Sequence, residues 1–193
     1  MKFLVLSASA ILFFSCSLDY GAERSVKDIV PEFVFINTHF TRYENSRKTM
    51  DMDADELEQY ASDRSCYAKN PAFTTFDENN NAATTGSCSL LAMDTKNEIY
   101  TLYEKIKLKN NEQNMQIIAD NLKWNAKTEQ LTSGADDYVE LFRDDVEIFG
   151  RGFSASGITL SYAFGYDVSG TIIKKEETEE EAAKEQKEKK DEN

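Results

Sequence analysis

The residues of this chain that could do acid–base, nucleophilic or metal chemistry are few and poorly spaced for it. It has a single histidine, His39, so neither a histidine-based metal site nor a Ser-His-Asp relay can be assembled. Met50, Met52 and Ala54 alternate with Asp51, Asp53 and Asp55, and such a row of carboxylates could hold calcium. A calcium loop also needs glycine at its sixth position and glutamate at its twelfth; counted from Asp51, those positions are Glu56 and Ser62. The alternation is therefore read as a strand with one wet, acidic face. HExxH, GxSxG, a glycine-rich phosphate loop and CxxC are all absent, and no nucleophile, base and orienting group can be named together. The expectation is a protein that is not an enzyme and uses no cofactor or metal.

What remains is the chemistry of thiols and of hydrocarbon. Cys16 follows the small residue Ser15 at the end of an apolar run that begins after the basic Lys2. The run is about 16 residues long, short of the roughly 20 that span a bilayer, and reads as an export signal over residues 1–15. Phe13-Phe14-Ser15-Cys16 resembles a bacterial lipobox, although leucine is usual where Phe13 stands. On that reading the chain is cut before Cys16, whose sulfur carries a diacylglycerol, and acyl chains on the terminal residue would anchor it. Cys66 and Cys88 are then an even pair in an exported chain, which permits a disulfide without establishing the necessary Cα separation.

The elements that must position any site are strands. Residues 115–142, MQIIADNLKWNAKTEQLTSGADDYVELF, alternate apolar and polar over short runs. Polar breaks fall at 126–129 and at 133–137. That is the pattern of three half-buried strands. Weaker copies of the unit begin at Ala54, Gly86 and Gly150, a spacing of roughly 32 residues that points to a repeat architecture. Continuing the alternation gives an inner face of Met50, Met52, Leu57, Phe73, Leu90, Ile99, Ile106, Ile117, Leu122, Leu131, Val139 and Leu141. A single bulge would invert that assignment locally. Pro31 permits an extended start, and the stretch after it, EFVFINTHFTRYEN, is read as the first strand pair. Glycines from Gly150 onward imply a bending or narrowing end of the sheet.

The resulting organisation is a signal over 1–15, a tether over 16–30, one β domain over 31–173 and a charged tail over 174–193. The tail contains only alanine as an apolar residue and cannot bury a core. Net charge is −13, which argues against nucleic acid, because neutralising phosphates needs clustered Lys and Arg.

Two groups of residues carry a resemblance. One is the unit ADNLKW…QLTSG…VEL; the other is the ending GFSASGITLSYAFGYDVSGTI with its Gly170-Thr171-Ile172. Together they resemble the LptC-related, OstA-like lipopolysaccharide export proteins over about residues 34–173. The resemblance implies an all-β fold, an open antiparallel β-jellyroll (β-taco), with an apolar interior that holds acyl chains. It also implies the partners: lipopolysaccharide or a related glycolipid, an inner-membrane ABC transporter complex that delivers it, and an LptA-like periplasmic bridge protein that docks at a sheet edge. The transporter's ATP hydrolysis would supply the energy. The lipid anchor at Cys16 and the Lys/Glu-rich tail depart from the usual pattern, in which an uncleaved transmembrane helix is kept. The placement implied is periplasmic and anchored to a membrane, the inner one favoured.

On this reading a charge at Leu131 or at Leu141 is expected to block lipid while the fold survives. A different reading of the same residues is a lipid-anchored structural or surface β-sandwich, its sheets closed on each other and holding no cargo.

Overall fold

The computed structural model describes residues 30–173, and all regular structure there is β. The strands are β1 (Phe33–Glu44), β2 (Arg47–Gln59), β3 (Ser65–Lys69), β4 (Ala72–Phe76), β5 (Ala82–Ser87), β6 (Leu90–Asp94) and β7 (Ile99–Asn110). They continue as β8 (Met115–Asn125), β9 (Gln130–Thr132), β10 (Tyr138–Arg143), β11 (Val146–Arg151), β12 (Ser154–Ser156), β13 (Ser161–Ala163) and β14 (Tyr166–Ile172). All are linked by antiparallel pairing into one 14-stranded sheet.

The long strands make this one sheet into two arms. Residues 50–53 of β2 pair with β4, while its residues 56–59 pair with β3. The first half of β7 pairs with β6 and its second half with β5. In β8 the first half pairs with β10 and the last residues with β9. One arm therefore runs through β3, β6, β9, β12 and β13, the other through β4, β5, β10, β11 and β14. They are called here the β6 arm and the β5 arm. β1 lies along β2 on both arms.

A crease runs where the long strands pass from one arm to the other, and the backbone is irregular there. In β2 the buried residues run Met52, Ala54 and then Leu57; in β8 they run Ile117, Ala119 and then Leu122. The inward phase has slipped by one residue in each. In β1 the slip falls at Asn37, whose φ is 49°. β7 instead carries Glu104 and Lys105 in the left-handed region, with φ of 57° and 51°. β7 gains a residue against β8 between Tyr103 and Ile106, a bulge that bends and twists the ladder, whereas β1 and β2 slip in step and keep their register across Asn37. The expected strand pair after Pro31 is for this reason a single strand: β1 bends at Asn37 and keeps its pairing with β2 on both sides.

Turn chemistry repeats on a shorter period than the roughly 32 residues read from the sequence. Asp94 Oδ1 accepts the Asn97 N–H at 2.9 Å, Asn110 Oδ1 the Gln113 N–H at 2.8 Å, and Asn125 Oδ1 the Thr128 N–H at 3.3 Å. In each case the residue four on is left-handed: Glu98, Asn114 and Glu129. A short side-chain acceptor at the first position and a left-handed residue before the next strand fix the hairpin's length and hence its register. The stretch 115–142 does form three strands, with its breaks at the two polar segments.

The core is apolar throughout; among the described residues none that is buried is polar or charged. The glycine-rich end bends over it. Gly150 lies under the Phe164 ring, where an added Cβ would stand 2.8 Å from Phe164 Cδ1. The proposed signal, Cys16, nearly all of the tether and the charged tail lie outside the described residues. Among those described, no helix is long and apolar enough to cross a membrane.

The turn carboxylates make stability depend on acid in a definite direction. Backbone hydrogen bonding from Asn81 holds Asp77, and the Asn97 side chain holds Asp94, below the usual aspartate range. A carboxyl whose folded pKa is depressed adds stability above its unfolded pKa and loses it as pH falls through the folded value. The thermal midpoint should stay level from neutral pH down to about 4 and then fall. Asp94→Asn combined with Asp77→Asn should flatten that acid limb, measured by circular dichroism melts across pH.

Candidate functional site

Antiparallel register turns inward-facing residues into rows that cross each arm. Nearest the crease, the β6 arm carries Leu57, Ala68, Leu91, Leu102 and Leu122, each opposite the next across paired strands. The β5 arm carries Met52, Phe73, Gly86, Leu108, Ile117 and Leu141. Most of these side chains are buried and close the bottom of the fold.

A second row lies further out on each arm. On the β6 arm it is Met93, Tyr100, Trp124, Leu131, Ala155 and Tyr162. On the β5 arm it is Arg42, Met50, Thr75, Thr84, Asn110 and Met115. These rows stand apart and leave a slot of about 450 Å³ open at one side. Its walls are hydrocarbon and aromatic: Met50, Phe73, Leu108, Met115 and Ile117 face Leu91, Tyr100, Trp124 and Leu131. Among the described lining residues the charged ones are Arg42 and Glu44, in and beyond the outer row. The volume falls in the roughly 300–1,000 Å³ range of small-molecule sites, and the lining resembles theirs.

Phe153 sits where the chain crosses from β11 on one arm to β12 on the other. It is 1 % exposed and packs on Phe164 with ring centroids 5.2 Å apart. Ser133 and Phe153 hold the crossing: the Ser133 N–H donates to Phe153 O and the Phe153 N–H to Ser133 Oγ, both at 2.9 Å. A lone phenylalanine between two short strands, next to Gly152 with φ of 64°, gave no periodic signal in the sequence.

Of the expected inner face, Met50, Phe73, Ile117 and Leu131 line the slot. Met52, Leu57, Ile106, Leu122, Val139 and Leu141 are buried in the packed core below it. Leu90 and Ile99 are corrections, since they face outward. Leu90 stands opposite the exposed Tyr103, while its neighbour Leu91 takes the inner position. Ile99 alternates against Tyr100, which lines the slot. The cause is the same in both strands: adjacent large residues satisfy either phase, and the first of each pair is the one that faces outward. Tyr100, Leu102, Leu108, Met115 and Trp124 are slot residues that the sequence reading left out.

Cys66 and Cys88 lie within this framework as free thiols. Cys66 faces Met93 across β3 and β6. Burial pushes the Cys88 thiol up to about 11, which keeps it protonated and inert at neutral pH. His39 and the alternating aspartates are on the outer face. His39 Nδ1 lies 2.8 Å from Asp53 Oδ1, and Asp51 accepts from Lys48 Nζ at 2.7 Å. No group of three metal-binding side chains occurs among the described residues.

Two β arms joined at a crease around an open hydrocarbon slot define a class of protein, the open antiparallel β-jellyroll. The chain belongs to the LptC-related family of lipopolysaccharide-assembly proteins, whose profile matches residues 3–164. Among solved structures it is similar to LptH, the LptA-homologous periplasmic component of the conserved lipopolysaccharide transport device from Pseudomonas aeruginosa. Identity is 9 %, the match covers 77 % of this chain and 99 % of that one, and the TM-score is 0.33. No curated protein sequence matches the chain.

Leu131 and Leu141, read alike from the sequence, are separated by this geometry. Leu141→Asp places an unpaired charge in the closed core and should cost about 4 kcal/mol or more, enough to unfold the domain. Leu131→Asp puts its charge at the slot wall and should leave a folded protein, as urea denaturation of both variants would show. Gly86 offers a second test. An added Cβ would lie 2.3 Å from the Phe73 ring and 2.6 Å from Leu108 Cδ2, both slot residues. Gly86→Val should push them into the slot, costing about 1–3 kcal/mol and reducing the apolar volume available to a bound dye.

Proposed function

We propose that this protein is a lipid carrier in the lipopolysaccharide or related glycolipid export bridge of the cell envelope. The slot accepts acyl chains presented by an inner-membrane ABC transporter and releases them to an LptA-like periplasmic partner. The observation that supports this best is the slot itself: about 450 Å³ of hydrocarbon-lined space, open on one side, in a sheet that could otherwise have closed. Each methylene taken from water gains roughly 0.8 kcal/mol, so several carbons of an acyl chain are held without any bond being made or broken. In this reading the slot residues Met50, Phe73, Ile117 and Leu131 touch the lipid, while the buried inner residues support the wall.

The sheet edges support a partner reached by strand addition. Among the described residues β1 pairs only with β2, and β14 only with β11, so each has one side of its ladder without a strand from this part of the chain. Phe33, Val34, Phe35 and Ile36 on β1 are exposed, as are Tyr166, Val168 and Ile172 on β14. Long apolar edges of this kind are templates for another strand. The chain's own anchoring belongs to the same reading: a cleaved signal over 1–15, a diacylglycerol on Cys16, a tether over 16–30 reaching the domain over 31–173, and a solvated tail over 174–193.

Photo-crosslinking in cells tests it. A photoreactive residue at Leu131 or Trp124 should capture glycolipid, and one at the outward Leu90 or Ile99 should not. Equal capture at all four positions, or none at Leu131 and Trp124, would show that the slot carries no lipid.

A further inference from the structure

The slot has one basic lining residue, Arg42, and one acidic, Glu44, and both stand on β1 at its mouth. Arg42 extends the outer row of the β5 arm beside Met50, yet its Nη1–H donates to Tyr100 Oη on the β6 arm. The guanidinium thus crosses the slot where its hydrocarbon walls end. Its other terminal nitrogen, Nη2, lies 2.5 Å from Glu44 Oε1, and the Arg42 side chain remains 39 % exposed. Tyr100 Oη accepts from Arg42, and among the hydrogen bonds of the described residues it has no acceptor for its own O–H. Two donors, one charged and one neutral, therefore converge on the point an amphiphile's polar end would reach once its chain filled the slot.

We propose that Arg42, with Tyr100, recognises an oxyanion on the headgroup of the bound lipid, so that the slot selects anionic amphiphiles over neutral ones of equal chain length. This deepens the carrier reading and rests on it. A planar guanidinium pairs with a phosphate or carboxylate through parallel N–H bonds, and such charge-assisted bonds are about twice as strong as neutral ones. Glu44 holds the place of the ligand's anion in the empty protein and is displaced when the ligand arrives. On a chain of net charge −13 this local cation is what would let an anion approach the mouth at all. The anion then bonds to groups on both arms and ties the mouth shut over the acyl chain.

The test uses the full chain reconstituted in phosphatidylcholine vesicles. Trp124 is the only tryptophan in the sequence and lines the slot, so its fluorescence reports occupancy. The probes are decyl phosphate and an uncharged decyl glycerol ether. The unaltered protein should bind the phosphate roughly 10-fold more tightly than the ether, as expected for one charged hydrogen-bonded contact. Arg42→Gln should remove that preference by weakening the phosphate alone. Tyr100→Phe should weaken the phosphate by about 3-fold, the size of one neutral hydrogen bond, and leave the ether unchanged. Glu44→Gln, which removes the competing carboxylate, should tighten the phosphate and not the ether. Equal affinity for the two probes in the unaltered protein overturns the headgroup inference while the carrier reading stands, and so does an Arg42→Gln variant that weakens both probes alike. If neither probe changes the fluorescence, the carrier reading fails and the inference falls with it.

Discussion

Everything in this fold depends on a few long strands that each serve two arms. A strand shared between arms resumes its pairing on both sides of the bend: β2 pairs with β4 up to Asp53 and with β3 from Glu56, and β7 with β6 up to Tyr103 and with β5 from Lys107. It also ties the arms together covalently. The requirement is that inward side chains on both sides of the bend point at each other. A strict period of two, carried through a sharp bend, does not guarantee that. The one-residue slips in β1, β2 and β8, and the two left-handed residues in β7, are where the backbone meets the requirement. Left-handed conformations at Glu104 and Lys105 cost on the order of 1 kcal/mol each, and they persist because the pairing on either side over-determines them.

The slot follows from the same constraint together with side-chain size. Near the crease, small and branched residues fill the space: Ala54, Ala68, Ala119, Ile106 and Leu122. Further out the arms diverge, and the walls would need ever larger side chains to meet. They carry instead Thr75 and Thr84 on one side and Tyr100 and Trp124 on the other. The threonines are too short to reach across, and the aromatic rings lie in a row along the β6 arm. Packing therefore runs out before the mouth does. A void of this kind forfeits contact energy on its lining, which disfavours an empty slot and favours one filled by flexible hydrocarbon. Gly86 belongs to this balance: Phe73 and Leu108 close over the bare backbone there, which sets how deep the slot runs.

Much of this was legible in the chain, and what was not has a definite cause. The strand breaks at 126–129 and 133–137 were plain because turn chemistry is local: an acceptor at Asn125, a left-handed residue at Glu129 and the small polar residues after Thr132 act within a few residues of each other. The acidic outer face of β2 was plain for the same reason. Facing was harder. Where apolar residues sit side by side, as in Leu90-Leu91 and Ile99-Tyr100, both phases bury one of them, and only pairing across the sheet decides which. The division between slot and closed core was not legible at all. Leu131 and Leu141 have the same chemistry and similar neighbours in sequence; they differ in how far along an arm their strands place them. Phe153 escaped notice because its burial comes from a crossing between arms, a feature of topology with no period.

Two kinds of exposed apolar surface result, and their shapes suit different guests. At the edges, β1 and β14 present exposed apolar side chains beside N–H and C=O groups that pair with no strand among the described residues. An acyl chain laid there would gain contact on one side only and leave those polar groups as they were. A partner strand would satisfy the groups and cover side chains together, so an edge favours protein. In the slot the backbone is already paired and the walls surround a guest on most sides. A strand inserted there would bring polar groups with nothing to bond. Hydrocarbon brings none, so the slot suits hydrocarbon better than a strand. A guest with a polar end would keep that end at the rim, where Arg42 donates to the Tyr100 hydroxyl and pairs with Glu44.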